Sequence, residues 1–196
     1  MNYVSNNLKS GEKSGVVVGS GYLYACIADE ITNPYKITEE DLEKFTEIGY
    51  IESDAVLTAN ATSVDLKTAN YGKIGKIYSD KEVSFVTGII SWNLDHISKY
   101  LTGSDFEATE DGKTRFYYGV DDRAPRVCLR FVSEDEREGK KIVIVMPLAQ
   151  FQGELEMNFN AENPVSFNYA FDLMSTVNLE KQKSYYFYMD EEDAES

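Results

Sequence analysis

Phe45-Thr46-Glu47-Ile48-Gly49-Tyr50-Ile51-Glu52-Ser53-Asp54 opens the stretch, ending at Gly103, that decides the fold. Its apolar and polar side chains alternate and it closes on small polar residues, the pattern of a half-buried strand that ends in a turn. From Thr58 to Asp80 the chain carries Ala, Asn, Thr, Ser and Lys with Gly72 and Gly75, and only Val64, Leu66, Ile74 and Ile77 stand out. That is too little apolar surface for a core strand. A loop of this length without structure of its own is uncommon inside a compact domain. The segment from Leu57 to Asp80 therefore reads as an extended arm that packs on a neighbouring subunit, through Thr58, Asn60, Val64, Leu66, Tyr71, Ile74 and Ile77.

Val83-Ser84-Phe85-Val86-Thr87-Gly88-Ile89-Ile90-Ser91-Trp92-Asn93-Leu94 follows, with large apolar residues in both alternating sets. A strand covered on both faces reads that way. A short amphipathic helix comes next: Asn93 is a good N-cap, Asp95 sits in the first turn, Lys99 lies four residues on and Gly103 supplies the stop. Leu94, Ile97 and Leu101 fall on one side of it with Tyr100 beside them, a face that can cover a sheet.

The remainder is strand-rich. Asp111-Gly112 is a tight-turn signal leading into alternation from Thr114 to Val120. Arg126 to Val132 and Lys141 to Pro147 flank a charged turn from Ser133 to Gly139. Gln152 to Asn160 alternates Leu155, Met157 and Phe159 with Glu154, Glu156, Asn158 and Asn160. After the turn Glu162-Asn163-Pro164, the residues Val165, Phe167, Tyr169, Phe171 and Leu173 alternate with Ser166, Asn168, Ala170 and Asp172. These two segments read as an antiparallel hairpin with one buried face.

Gly49-Tyr50-Ile51-Glu52-Ser53-Asp54, the polar loop to Lys81, the strand and helix from Val83 to Gly103, and Ile142 to Pro147 leading to Phe151-Gln152-Gly153-Glu154-Leu155-Glu156 are, in this order, similar to the major tail protein of long-tailed bacteriophages. The resemblance covers roughly residues 16 to 174 and rests on order and spacing. It implies a mainly β fold, a two-sheet β-sandwich of tail-tube type flanked by one α-helix, with an extended N-terminal arm and a long inter-subunit loop. It also implies hexameric rings stacked into a hollow tube, the conduit for genome ejection. The implied partners are other copies of the chain, a tape-measure protein inside the tube, a tail tip or baseplate, and a tail terminator. The implied location is the virion tail, assembled in the host bacterial cytoplasm. Longer members append an immunoglobulin-like domain, and adhesion through such a domain is not expected here.

The 196 residues suit one domain: an N-terminal arm over residues 1–15, a domain over 16–189 and an acidic tail over 190–196. Cys26 and Cys128 lie in apolar strands and read as buried free thiols, with a disulfide as the alternative. The N-terminus has no apolar core of a secretory leader, and no run approaches the roughly 18 apolar residues of a membrane span. A formal net charge of −15 argues against gripping nucleic acid by phosphate neutralisation. It suits a conduit, since double-stranded DNA then passes without specific binding. In the late hairpin the polar face of Glu154, Glu156, Asn158, Ser166, Asn168 and Asp172 is the candidate lumen wall, although an outer solvated surface would look much the same.

Signals for catalysis are weak. His96 has Asp95 adjacent in sequence, which suits a surface or structural role, and no triad can be built without another base. Gly19-Ser20-Gly21-Tyr22-Leu23-Tyr24 has Tyr24 where a dinucleotide loop needs glycine, and Gly11-Glu12-Lys13-Ser14 lacks the first glycine of a phosphate loop. Asp105 to Gly112 has Glu110 where a calcium loop requires glycine. No enzyme, cofactor or metal is expected. The competing reading is a monomeric β-sandwich binding carbohydrate or a receptor through Tyr185-Tyr186-Phe187-Tyr188 with Tyr117 and Tyr118, set against strand packing and subunit contacts as the work of those aromatics.

Overall fold

The computed structural model describes residues 14–17, 20–51, 55–68, 72–90, 94–102, 105–118, 124–137, 140–152, 156–158 and 166–193. In chain order the strands are β1 (Ser14–Val17), β2 (Gly21–Ile27), β3 (Thr46–Ile51), β4 (Val56–Thr68), β5 (Gly72–Ile89), β6 (Asp105–Ala108) and β7 (Thr114–Tyr117). They continue as β8 (Arg126–Arg137), β9 (Lys140–Phe151), β10 (Glu156–Asn158), β11 (Ser166–Leu173), β12 (Thr176–Asn178), β13 (Lys183–Tyr185) and β14 (Tyr188–Asp193). Helical pieces are short: a 3-10 turn at Ala28–Glu30, α1 (Glu39–Leu42) and α2 (Leu94–His96), which continues as a π-helical turn over Ile97–Thr102. The chain is mainly β, with antiparallel sheets.

Ten strands form one sheet in the order β1-β4-β5-β11-β9-β8-β2-β3, with β10 beside β11 and β14 beside β9. The sheet curls until it meets itself. The Ile90 N–H donates to the Tyr50 carbonyl at 2.9 Å and bridges the end of β3 to the residue after β5. The strands β5, β11, β9, β8, β2 and β3 thereby close into a ring, which leaves fewer open edges than a flat sheet would.

The ring's interior is the core. Leu23, Phe85, Ile89, Leu129, Phe131 and Phe171 are fully buried in one apolar cluster. Each such side chain contributes about 1.5–3 kcal/mol relative to exposure. β9 belongs here because both of its alternating sets are apolar. Ile144 and Met146 join the ring cluster, while Val143 and Val145 join Cys26, Ile31 and Cys128 in a second cluster, against which Ile37, Phe45 and Tyr188 pack. Pro147 is tolerated inside β9 because the register with β8 shifts between Val127 and Leu129, and a bulge spares the ladder bond that proline cannot donate. Gly21 has no such latitude. A Cβ there would lie 2.2 Å from the Val132 carbonyl oxygen and 2.7 Å from the Phe131 ring.

α2 and its π-helical continuation pack against β3, β2, β8 and β9. Ile97 and Tyr100 are buried in the ring cluster, and the Tyr100 hydroxyl lies 3.0 Å from Thr46 Oγ1. The expected helix is present but short. Its expected cap, Asn93, and stop, Gly103, lie outside the described residues, as do the side chains of Leu94 and Leu101.

Three expectations change. The segment from Leu57 to Asp80 is not a loop: β4 and β5 pair from Val56 opposite Val86 to Thr68 opposite Gly72, so the backbone satisfies itself although, beyond the buried Leu57, none of the described side chains joins the core. Ser14 and Gly15, expected in the arm, already belong to β1, which pairs with β4; residues 1–13 lie outside the described residues. The acidic residues Asp190 to Asp193 are not a free tail, because their backbone runs as β14 along β9 while the side chains stay exposed. Residues 194–196 lie outside the described residues.

The late hairpin takes the expected pairing, with Met157 opposite Phe167 and Phe167, Tyr169 and Phe171 buried. Asp111-Gly112 turns the β6–β7 hairpin, and Gly112 adopts φ +76°, a conformation glycine allows without strain. Cys26 and Cys128 stand directly opposite each other on β2 and β8, both buried as free thiols. The neighbouring Cys26 thiol, then burial, push the Cys128 thiol far up.

Candidate assembly surface

β11 ends at Leu173, which stands opposite Val83 of β5 on one side and Ala149 of β9 on the other. Beyond that point β9 keeps a neighbour, β14, whereas β5 keeps only β4. The sheet forks there. One prong is β9 with β14, and the other is a two-stranded ribbon of residues 60–68 and 72–82. The Tyr186 hydroxyl donates to the Lys81 carbonyl at 3.4 Å between the two prongs.

The ribbon has a rooted base and an uncovered outer part. At the base, Leu57, Val83 and Phe85 are buried, and β1 and β11 supply outer neighbours. Farther out no third strand joins among the described residues. Register sorts the ribbon's residues, because directly opposed residues share a face. Val64 opposes Ile77 and Leu66 opposes Gly75, with a Leu66 methyl 4.0 Å from the place of a Gly75 Cβ. The other face holds Ser63 opposite Tyr78 and Asp65 opposite Lys76, and Lys73 bridges to Asp65 at 2.8 Å. Ile74 falls at a register shift. Val64, Ile74, Ile77 and Tyr78 are 57%, 60%, 53% and 59% exposed. A lone two-stranded ribbon is marginal in water, and apolar residues grouped on one uncovered face mark an interaction surface.

The expected contact residues therefore divide. Thr58 and Asn60 are half-buried, Thr58 at the rooted base and Asn60 just beyond it; Val64, Leu66, Ile74 and Ile77 lie on the uncovered part; Tyr71 lies outside the described residues. Of the expected lumen residues, Glu154 lies outside the described residues, and Glu156, Asn158 and Ser166 are described by backbone alone. Glu156 opposes Asn168 and Asn158 opposes Ser166, so the register sets these four on one face of β10 and β11. Asp172, exposed, accepts from Gln152 Nε2 at 2.6 Å.

The aromatics near residue 185 are tied into the fold. Tyr35 meets the Tyr185 ring edge-on at 6.1 Å and the Tyr188 ring at 5.8 Å. Its hydroxyl binds Thr176, and the Tyr188 hydroxyl donates to the Pro34 carbonyl at 2.9 Å. Beside them lies a cleft of about 190 Å³ lined by Tyr35, Ile37, Arg130, Tyr188 and Glu192, in which Arg130 is ion-paired to Glu192. His96 Nδ1 lies 2.8 Å from the Glu47 carbonyl oxygen, a contact that holds α2 to β3. None of the described helices is long and apolar enough to cross a membrane.

β14 and the uncovered ribbon were missed from sequence: an acidic run looks like a solvated tail, and a polar hairpin looks like a loop. The sequence matches no protein-family model and no curated protein.

Proposed function

We propose that the chain is a structural virion protein that assembles as hexameric rings stacked into a bacteriophage tail tube, the conduit for genome ejection. The observation that carries this reading is the amphipathic ribbon, whose apolar face of Val64, Leu66 and Ile77 is exposed and uncovered among the described residues. The mainly β antiparallel fold with α2 packed against its sheet supports the reading, although the two sheets expected from the resemblance are here one ten-stranded sheet that closes on itself. By resemblance the partners are a tape-measure protein, a tail tip or baseplate and a terminator. The polar face of β10 and β11, with Glu154 beside it in sequence, is the proposed lumen wall. It carries Glu156, Asn158, Ser166, Asn168 and Asp172 and no base, so DNA meets no adhesive charge.

A monomeric module binding carbohydrate or a receptor is the second reading, resting on the cleft beside Tyr35 and Tyr188. Both hydroxyls already serve the fold, which weighs against it. Sedimentation velocity and negative-stain microscopy of the concentrated protein decide between them. Rings or tubes are the expected outcome; a monomer that is retained on immobilised glycans would replace the tube with the module.

A further inference from the structure

We infer that the ribbon of one copy docks edge to edge on β14 of the next copy, basic strand against acidic strand. The inference rests on the self-assembly reading above and supplies the receptor that the reading leaves open. Three observations on different parts of the chain carry it.

The first is geometric. Both prongs of the fork end in open strand edges among the described residues: β5 beyond Val83 pairs only with β4, and β14 pairs only with β9. An open edge is a template for another strand. The second is charge. The ribbon is weakly basic in a chain whose formal net charge is −15: residues 60–82 hold Lys67, Lys73, Lys76 and Lys81 against Asp65, Asp80 and Glu82, and Lys73 is paired to Asp65. Residues 190–193 of β14 are all acidic, and all four side chains are exposed. Within the subunit only part of that acid is neutralised: Glu192 pairs with Arg130, and Glu191 reaches Lys140 at 3.5 Å. The third is apolar surface. Met189 of β14 is 46% exposed, and Ile74, Ile77 and Tyr78 of the docking strand are more than half exposed.

A second copy is the fitting occupant because the chain carries both halves of the match, one on each prong of the fork. Such a contact is heterologous, and heterologous contacts build closed rings or open filaments rather than isolated dimers. Its electrostatic part weakens with salt, since exposed charges are screened beyond about 8 Å at physiological ionic strength.

The test uses two charge-reversed proteins, Lys73→Glu with Lys76→Glu, and Asp190→Lys with Asp193→Lys. These side chains are exposed and leave the core untouched; the Lys73–Asp65 pair lost in the first variant is worth at most about 1 kcal/mol, so melting temperatures should stay near the parent's. Each alone should raise the concentration needed for assembly by about tenfold or more, since like charges brought together at an interface are costly. A chain carrying all four substitutions should recover assembly, and raising salt should narrow the differences. Parent tubes that form while both variants assemble equally well, with the same salt dependence, overturn this docking and leave the tube reading standing. A parent that stays monomeric at every concentration overturns both.

Discussion

Tyr169 and Thr87 stand opposite each other on β11 and β5, each 1% exposed, and neither hydroxyl has a hydrogen-bond partner among the described residues. A buried hydroxyl without a partner keeps its desolvation cost uncompensated. Tyr169→Phe should therefore raise stability by about 1 kcal/mol in denaturant titration at pH 7. Burial, with Tyr118 a lesser cause, pushes the Tyr169 hydroxyl well up from its ordinary value of 10.0. Above about pH 10 the unfolded chain ionises first, so parental stability falls there and the advantage of the Tyr169→Phe variant should widen; a constant gap up to about pH 11 contradicts this. Asp41 titrates the other way. The Lys44 ammonium and then the Thr38 backbone and hydroxyl hold its carboxyl below 3.8. Stabilisation of that sign is present above pH 3.8 and lost as pH falls through the folded value. Asp41→Asn should lower the melting temperature at pH 7, and the difference should shrink progressively as pH falls below 3.8.

At the scale of elements, the ribbon should show graded protection. Amides at residues 83–86 are held between two strands, whereas those near residues 62–66 and 74–79 close on one partner strand only among the described residues. Hydrogen exchange on the monomer should be fast in the outer ribbon and slow at the base, and assembly should slow the outer part. Strong, equal protection of the outer ribbon in both states would contradict its role in assembly. The late hairpin was legible because period-two alternation has a direct cause, one face buried and one not, and Phe167, Tyr169 and Phe171 obey it. The ribbon was not, since Thr62, Ser63 and Lys76 announce solvent whether the backbone is paired or loose. β14 was hidden for the same reason, as Asp190 to Asp193 pair through backbone groups that no side-chain pattern reveals. Nor could Cys26 and Cys128 be placed opposite each other, because spacing along the chain does not encode the register between distant strands.

For the whole molecule, the net charge of −15 bears on what passes through an assembled tube. Glu154→Lys with Glu156→Lys in every subunit would line the proposed lumen with rings of positive charge. Tubes should assemble normally while DNA ejection slows and becomes salt-dependent. Unchanged ejection at low salt, in particles shown to carry both substitutions, would assign these residues to the tube's exterior. Closure of the sheet also sets a kinetic order. The ring needs β2 to find β8, with Cys26 meeting Cys128 across 102 residues, while β4 and β5 pair locally, with Thr68 opposite Gly72. Local hairpins form in about 1–10 μs, whereas folds dominated by distant pairings take milliseconds to seconds. The ribbon thus pairs, transiently, before the ring that should aim it has closed, and refolding yield should fall as protein concentration rises even where the native monomer is stable.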